Sequence, residues 1–293
     1  MLTVKNVHKS YGNYKALEDV YLEVGEGSIF GLVGINGSGK STLLRIIAGV
    51  FKPDRGAVFF DDKDTYENKE IRSSIVYVSD DPYYPFGSTI DSLKLYYQSF
   101  YEFDEEKYYA YLKLFGLNPH DNISHFSKGM RRQASLILGM ALSPKLLLLD
   151  EAFDGLDPLV RLKFKKALNE LIEEKQISVI ISSHNLKELD DICDSFAILE
   201  NHHVMTYGDL NLSKDQVHKY QLAFKEEKTK DDFVGLDFLS FQSSGRVINA
   251  VIKGDKDFVV ERLMKYEPIL LDVLPVNFEE LFIYEIEKEN END

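Results

Sequence analysis

Gly34-Ile35-Asn36-Gly37-Ser38-Gly39-Lys40-Ser41 is the stretch on which the reading of this chain turns. It matches the pattern GxxxxGK[ST] in full. Glycines at these places let the backbone curl, so that successive N–H groups point at one spot with no Cβ in the way. That is the geometry of a phosphate cradle. Lys40 is placed to bring its charge to the β- and γ-phosphates of a nucleotide, and the Ser41 hydroxyl is suited to ligate Mg²⁺. The pattern demands a strand before it and a helix after it. Ser28–Val33 supplies the strand, and beyond Ser41 and Thr42 the residues Leu43, Leu44, Ile46 and Ile47 form an apolar helical stripe that stops near Gly49. A simple glycine-rich turn would explain neither flank.

Outward from the loop, Leu2–His8, Leu17–Val24 and Ala57–Asp61 read as strands between Gly- and Asp-containing turns, and Ile75–Ser79 as a buried strand. From Pro82 to Ala141 the chain turns helical and rich in tyrosine. Leu93, Tyr96, Tyr97 and Phe100 recur at helical spacing, and Asp104 is placed to cap a helix that ends near Gly116. Strand and helix then alternate again: Leu146–Asp150 as a strand, a helix from Asp157-Pro158 to Lys175, then strands at Ile177–Ser182 and Phe196–Leu199. Apolar strands separated by helices predict an α/β fold with a mainly parallel sheet covered on both faces. The first strands form an antiparallel β subdomain, and residues 82–141 a helical subdomain inserted into that core. After about residue 212, Tyr220–Phe224, Leu236–Phe241 and Arg246–Lys253 alternate like antiparallel strands, with Gly245 at a turn. Phe258–Tyr266 reads as a helix, Ile269–Val273 as a strand and Phe278–Glu287 as an amphipathic helix, with a charged tail, EIEKENEND, expected to fray. The expected domains are thus 1–212 and a small α+β appendage over 213–293.

Composition narrows the setting. Of 293 residues, 34 are Lys or Arg and 49 Asp or Glu, a net charge of −15 that repels phosphates and argues against a nucleic-acid surface. No apolar run approaches the ~18 residues that span a bilayer. MLTVKNVHKS lacks the apolar stretch of a secretion signal. One cysteine, Cys193, excludes an intrachain disulfide and fits a reducing compartment. The expectation is a soluble, acidic, intracellular protein.

A second acidic element is required, and Leu146-Leu147-Leu148-Leu149-Asp150-Glu151 provides it. An apolar strand ending in Asp puts a carboxylate at the carboxyl edge of the sheet, where it can hold Mg²⁺, and Glu151 beside it can polarise an attacking water. In the order and spacing of these and four further elements, residues 1–212 resemble the ATP-binding-cassette (ABC) ATPases. Tyr11, in KSYGNYKAL, sits where that family stacks an aromatic on adenine. Phe126-Ser127-Lys128-Gly129-Met130 is similar to the signature LSGGQ, Asp154-Gly155-Leu156-Asp157 to the D-loop, and His184, in ISSHNLKEL, to the switch histidine. The resemblance implies a P-loop NTPase core and two cassettes closing head to tail around two ATP. Ser127 and Gly129 would touch the γ-phosphate bound by the other subunit, His184 would contact it in cis, and Asp157 would communicate across the dimer. Glu151, His184 and Asp80 are then the candidate catalytic residues. Tyr11, Gly34, Asn36, Gly37, Ser38, Gly39, Lys40, Ser41, Thr42, Ser127, Gly129 and Asp157 are candidates for ATP, and Ser41, Asp80 and Asp150 for Mg²⁺. The resemblance also implies separate integral-membrane permease subunits, a homodimer, no nucleic-acid partner, and a cytoplasmic place on the inner face of the membrane.

The sequence departs from the family in three places. Asp80 occupies the position of a glutamine, and either still ligates Mg²⁺ or merely begins the turn Asp81-Pro82. Lys128 and Met130 replace a glycine and a glutamine in the signature. The ending Pro275-Val276-Asn277-Phe278-Glu279-Glu280-Leu281-Phe282 and the FSKGM signature are similar to bacterial drug, antibiotic-peptide or lipid exporters. The alternative is an ATP-gated regulatory module with little hydrolysis; a small-molecule kinase would leave Ser127, Gly129 and His184 unexplained. His120 and His125 beside Asp121 read as loop residues rather than a metal site, His202 and His203 as a surface turn, and Cys193 as core. Tyr83, Tyr84, Tyr96, Tyr97 and Tyr101 read either as packing or as a docking patch for a partner.

Overall fold

The computed structural model describes residues 1–209 and 217–276. The chain divides into two compact units at Tyr207/Gly208. In the first unit, β1 (Leu2–Tyr11), β2 (Tyr14–Val24), β3 (Ile29–Val33), α1 (Lys40–Ile47), β4 (Arg55–Phe60), β5 (Lys63–Asp64), α2 (Lys69–Ser73) and β6 (Ile75–Val78) come first. The helical block holds α3 (Ile90–Tyr97), α4 (Glu105–Phe115) and α5 (Lys128–Ala141). It is followed by β7 (Leu146–Leu149), α6 (Pro158–Lys175), β8 (Ser178–Ser183), α7 (Leu186–Leu189), β9 (Ser195–Glu200) and β10 (His203–Asp209).

Two sheets form, as the sequence predicts. An antiparallel sheet runs β2-β1-β4-β5, and a six-stranded sheet runs β10-β9-β3-β8-β7-β6 with parallel pairing from β9 through β6. Parallel strands buried on both faces read as continuous apolar runs, and β3, β7 and β8 are buried at every residue. The stripe of α1 lies with both sheets in one core: Leu43, Leu44, Ile46 and Ile47 are all buried beside Leu2, Val4, Leu146 and Ile180. β1 runs past His8 to Tyr11 because register shifts between Val4 and Ser10 interrupt its alternation without ending the pairing. The short, polar β5 and α2, and β10 after the turn at His202, lie outside the expected elements. In the helical block Leu93 is buried, whereas Tyr96 and Phe100 are exposed; the buried face of α3 runs through Ile90, Leu93 and Lys94 instead of the expected stripe. Asp104 caps α4 through Lys107 N–H and Gly116 ends it in the left-handed conformation, as expected. Gly139 lets α5 press on β6, since a Cβ there would meet Val78 Cγ2 at 2.7 Å. Cys193 is buried after α7, with its Sγ 3.1 Å from where a Gly31 Cβ would stand. No helix among the described residues is long and apolar enough to cross a membrane.

The second unit carries β11 (Val217–Ala223), β12 (Asp237–Ser244), β13 (Val247–Lys253), α8 (Lys256–Met264) and β14 (Leu270–Leu274). Its antiparallel sheet has the order β12-β13-β11-β14, and Tyr220, Leu222, Ile248, Ile252, Val259 and Leu263 make its core. Gly245 sits at the β12–β13 turn with positive φ. The expected helix at Phe278–Glu287, the charged tail, and Asn277–Phe282 of the exporter-like ending lie outside the described residues.

Candidate nucleotide site

The loop between β3 and α1 is shaped by its glycines. A Cβ on Gly34 would stand 2.3 Å from Leu199 O, and one on Gly39, at φ +112°, 2.4 Å from Ala16 O. Only glycine fits either place. The first amide bond of α1 runs from Leu43 N–H to Gly39 O, so the amides ahead of it have no helical partner, and they carry the positive end of the helix. Ser38 Oγ is buried with no hydrogen-bond partner among the described residues. Lys40 is 5% exposed; its Nζ donates to Gly34 O at 2.7 Å and Ile35 O at 3.2 Å, and pairs with Glu151 Oε1 at 3.2 Å.

At the carboxyl edge of the sheet Asp150 is buried and receives three hydroxyls. Ser182 Oγ donates to its Oδ1 at 2.7 Å, Ser41 Oγ to the same oxygen at 3.1 Å, and Tyr77 OH to Oδ2 at 2.8 Å. Burial, and then the Asp150 charge, push the Tyr77 phenol far up, so it stays a donor. Glu151 is held in the left-handed conformation, φ +49°, with its N–H donating to Ser182 Oγ at 3.0 Å. Its second oxygen accepts from His184 Nδ1 at 2.8 Å. Lys40, Ser41, Asp150, Glu151 and His184 therefore touch one another, though they come from β3–α1, β7 and the loop after β8. A buried hydroxyl with no partner among the described residues, amides without a helical partner and a lysine suit a phosphate, and the all-oxygen pair Ser41–Asp150 suits a hard cation such as Mg²⁺.

The remaining candidates form a second group. Ser127 caps α5, accepting from Met130 N–H at 3.2 Å, and is exposed; a Cβ on Gly129 would meet Gly155 O at 2.9 Å. Lys128 Nζ pairs with Asp154 Oδ2 at 2.7 Å, and each ion favours the charged form of the other. Asp157 caps α6 through Val160 N–H. Asp80 pairs with the buried Arg132, and no hydrogen bond among the described residues brings it to Ser41 or Asp150. None joins Ser127 or Gly129 to the phosphate loop either. Tyr11, 44% exposed at the end of β1, meets Phe51 edge-on at 6.2 Å. Tyr14 OH donates to Gly37 O at 2.9 Å and so reaches the loop itself. Tyr14, Tyr77, Ser182 and Arg132 were not singled out from the sequence. A cavity of about 200 Å³ between β6 and the helical block is lined by Tyr77, Tyr84, Tyr97, Tyr101 and the exposed Tyr83; Tyr83 and Tyr84 also line a second pocket with the exposed Phe86. His120 Nδ1 pairs with Asp91 at 3.0 Å.

Residues 17–154 match the ABC transporter family model. ABC transporter ATP-binding protein YtrB of Bacillus subtilis is 28% identical over 97% of each chain. The uncharacterized ABC transporter ATP-binding protein YhcH of the same organism is 30% identical, with 78% of this chain and 77% of that protein covered. This chain belongs to the ABC transporter ATP-binding family. A solved structure described as the ATP-binding subunit of an ABC transporter is 30% identical and superimposes with a TM-score of 0.67 over 73% of this chain and 92% of that one. Relatives named for lantibiotic transport in Streptococcus pyogenes and for methionine import in Clostridium tetani, each 26% identical, match 78% and 96% of this chain and 100% and 94% of their own. As an ABC cassette the protein is an ATPase that takes ATP with Mg²⁺.

Proposed function

We propose that two copies of this cassette close around two ATP molecules and that the cycle drives transport, in the export direction, through separate membrane-embedded subunits. The carrying observation is that Ser127, exposed at the start of α5, and Gly129 beside it make no hydrogen bond to the phosphate loop among the described residues of one chain. Each chain then offers two half-sites, and a second copy completes them. In this reading Lys40 and the loop amides hold the triphosphate, Tyr11 stacks on adenine, and Ser41 with Asp150 holds Mg²⁺. Mg²⁺ bound there would supply positive charge to offset that of the phosphates. Glu151, oriented by Lys40 and His184, accepts the proton of the attacking water, and His184 and the partner's α5 terminus stabilise the charge on the γ-phosphate. Asp157 faces the second copy. Asp80 acts through its pair with Arg132, which donates to Asp150 O.

The tyrosine-lined cavity and its exposed aromatics suit a membrane subunit, which would place the cassette on the inner face of the membrane. The FSKGM signature supports export, whereas the relatives carry names of both kinds. Size-exclusion chromatography of Glu151→Gln with and without ATP, beside phosphate release by wild type, tests the cycle. An ATP-dependent dimer with hydrolysis only in wild type is expected; a persistent monomer that hydrolyses ATP overturns it. ATP-driven uptake into inside-out vesicles holding the cassette with its membrane subunit reads the direction.

A further inference from the structure

We propose that Arg132 is a positioning residue for ATP hydrolysis, forming with Asp80 one neutral hydrogen-bonded pair where the family carries an uncharged glutamine. The proposal rests on the role given above to Glu151. Arg132 lies on α5, five residues after its cap Ser127, and is 2% exposed. One terminal nitrogen donates to Ser79 O at 3.2 Å and to Asp150 O at 3.3 Å, and the other to the Asp80 carboxylate. A single planar guanidinium thus ties α5 to the ends of two neighbouring strands, β6 and β7, which pair through Val78 and Leu149.

The contact with Asp150 O matters most. That carbonyl belongs to the peptide joining Asp150 to Glu151, whose N–H donates to Ser182 Oγ at 3.0 Å. Arg132 and Ser182 grip the two ends of this peptide plane, and the left-handed backbone of Glu151 begins there. The plane's orientation sets where the Glu151 carboxylate stands. Among the described residues Asp80 is the one carboxylate in ion-pair contact with Arg132. Both Asp150 oxygens are already taken by hydroxyls. Asp81, Lys128, Arg131 and Asp154 are the other charged groups around the pair; Lys128 has Asp154 as its own partner, and no ion pair among the described residues joins Asp81 to Arg132. A buried guanidinium without a counter-ion is unfavourable, so Asp80 keeps Arg132 in place while Arg132 cancels the charge that Asp80 brings.

The test is a four-protein cycle of wild type, Asp80→Gln, Arg132→Gln and the double variant, read by steady-state ATP hydrolysis, nucleotide affinity and thermal melting. Arg132→Gln is expected to lower kcat between about tenfold and a hundredfold, the scale of a misplaced catalytic group. Its KM for ATP is expected to stay within about twofold, because among the described residues no hydrogen bond or ion pair of Arg132 reaches the phosphate loop. Asp80→Gln is expected to lower both kcat and the melting temperature. The double variant, with two neutral amides, is expected to recover most of the loss. Arg132→Lys, a point charge unable to span three acceptors, is expected to behave like Arg132→Gln. A double variant showing the product of the two single losses, or an Arg132→Gln protein with wild-type kcat, overturns the proposal. If Asp80→Gln is too unstable to assay, the kcat and KM of Arg132→Gln decide, since the Asp80 it leaves behind is half-exposed and solvated. The failure of the Glu151 reading is separately visible: Glu151→Gln would then hydrolyse ATP like wild type.

Discussion

Replacing Tyr77 by Phe removes one hydroxyl and leaves the ring in place. In β6 that hydroxyl donates to Asp150 Oδ2 at 2.8 Å, while the other oxygen of Asp150 is served by Ser182 and Ser41. The substitution opens no cavity, so its cost is the loss of one donor to a carboxylate that is 1% exposed. Leaving a buried acceptor unsatisfied costs about 1–3 kcal/mol. For a unit of roughly 200 residues each kcal/mol moves the melting temperature by about 2–4 °C, so the transition of the first unit is expected to fall by about 2–12 °C. Thermal unfolding followed by circular dichroism, without nucleotide, reads this directly. Because Oδ2 then lacks its donor, Mg²⁺-dependent hydrolysis should decline as well. A melting temperature within about 1 °C of wild type would refute the claim that the phenol stabilises Asp150.

Two further outcomes follow from named contacts. Lys40→Ala is expected to abolish ATP binding, measured with a fluorescent nucleotide, because the phosphates lose their cation; unchanged affinity contradicts the assignment of the loop. Asp104→Ala is expected to cost about 1 kcal/mol at neutral pH as a lost helix cap. The Asp104 carboxyl is held below its ordinary value chiefly by the Lys107 N–H, and then by Lys175, so the charged form is favoured in the fold. Its stabilisation is present above the unfolded pKa and lost as pH falls through the folded one. The difference between wild type and variant in urea titrations should therefore close in acid, below about pH 4; a difference constant down to acid pH would refute it.

The turn between β3 and α1 was legible because glycine placement writes backbone shape directly into sequence, and at Gly34 and Gly39 the structure shows why no other residue serves. Asp150 was legible as the end of an apolar run. The partners of Asp150 were not: Tyr77 and Ser182 reach it only through the parallel pairing of β6, β7 and β8, in which Tyr77 stands beside Leu148 and Leu149 beside Ile181. Strand order is a property of the sheet, and a single sequence holds no record of it. Arg132 was hidden for a different reason. A charged residue next to Arg131 on a helix reads as solvated surface, and only the closeness of α5 to β6, permitted at Gly139, turns it inward. β1 was read too short because its register shifts break the two-residue period on which strand reading depends.

The packing of Cys193 against Gly31 has a practical side. It is the sole cysteine in the sequence, and burial pushes its thiol well above the ordinary value, so little of it is thiolate at neutral pH. The wild-type chain is thus a near-silent background for maleimide chemistry. A cysteine introduced at an exposed position such as Ser127 can carry a fluorophore or a cross-linker while the native thiol stays in place. Slow labelling of Cys193 itself then becomes a stopwatch for the opening of the sheet around β3.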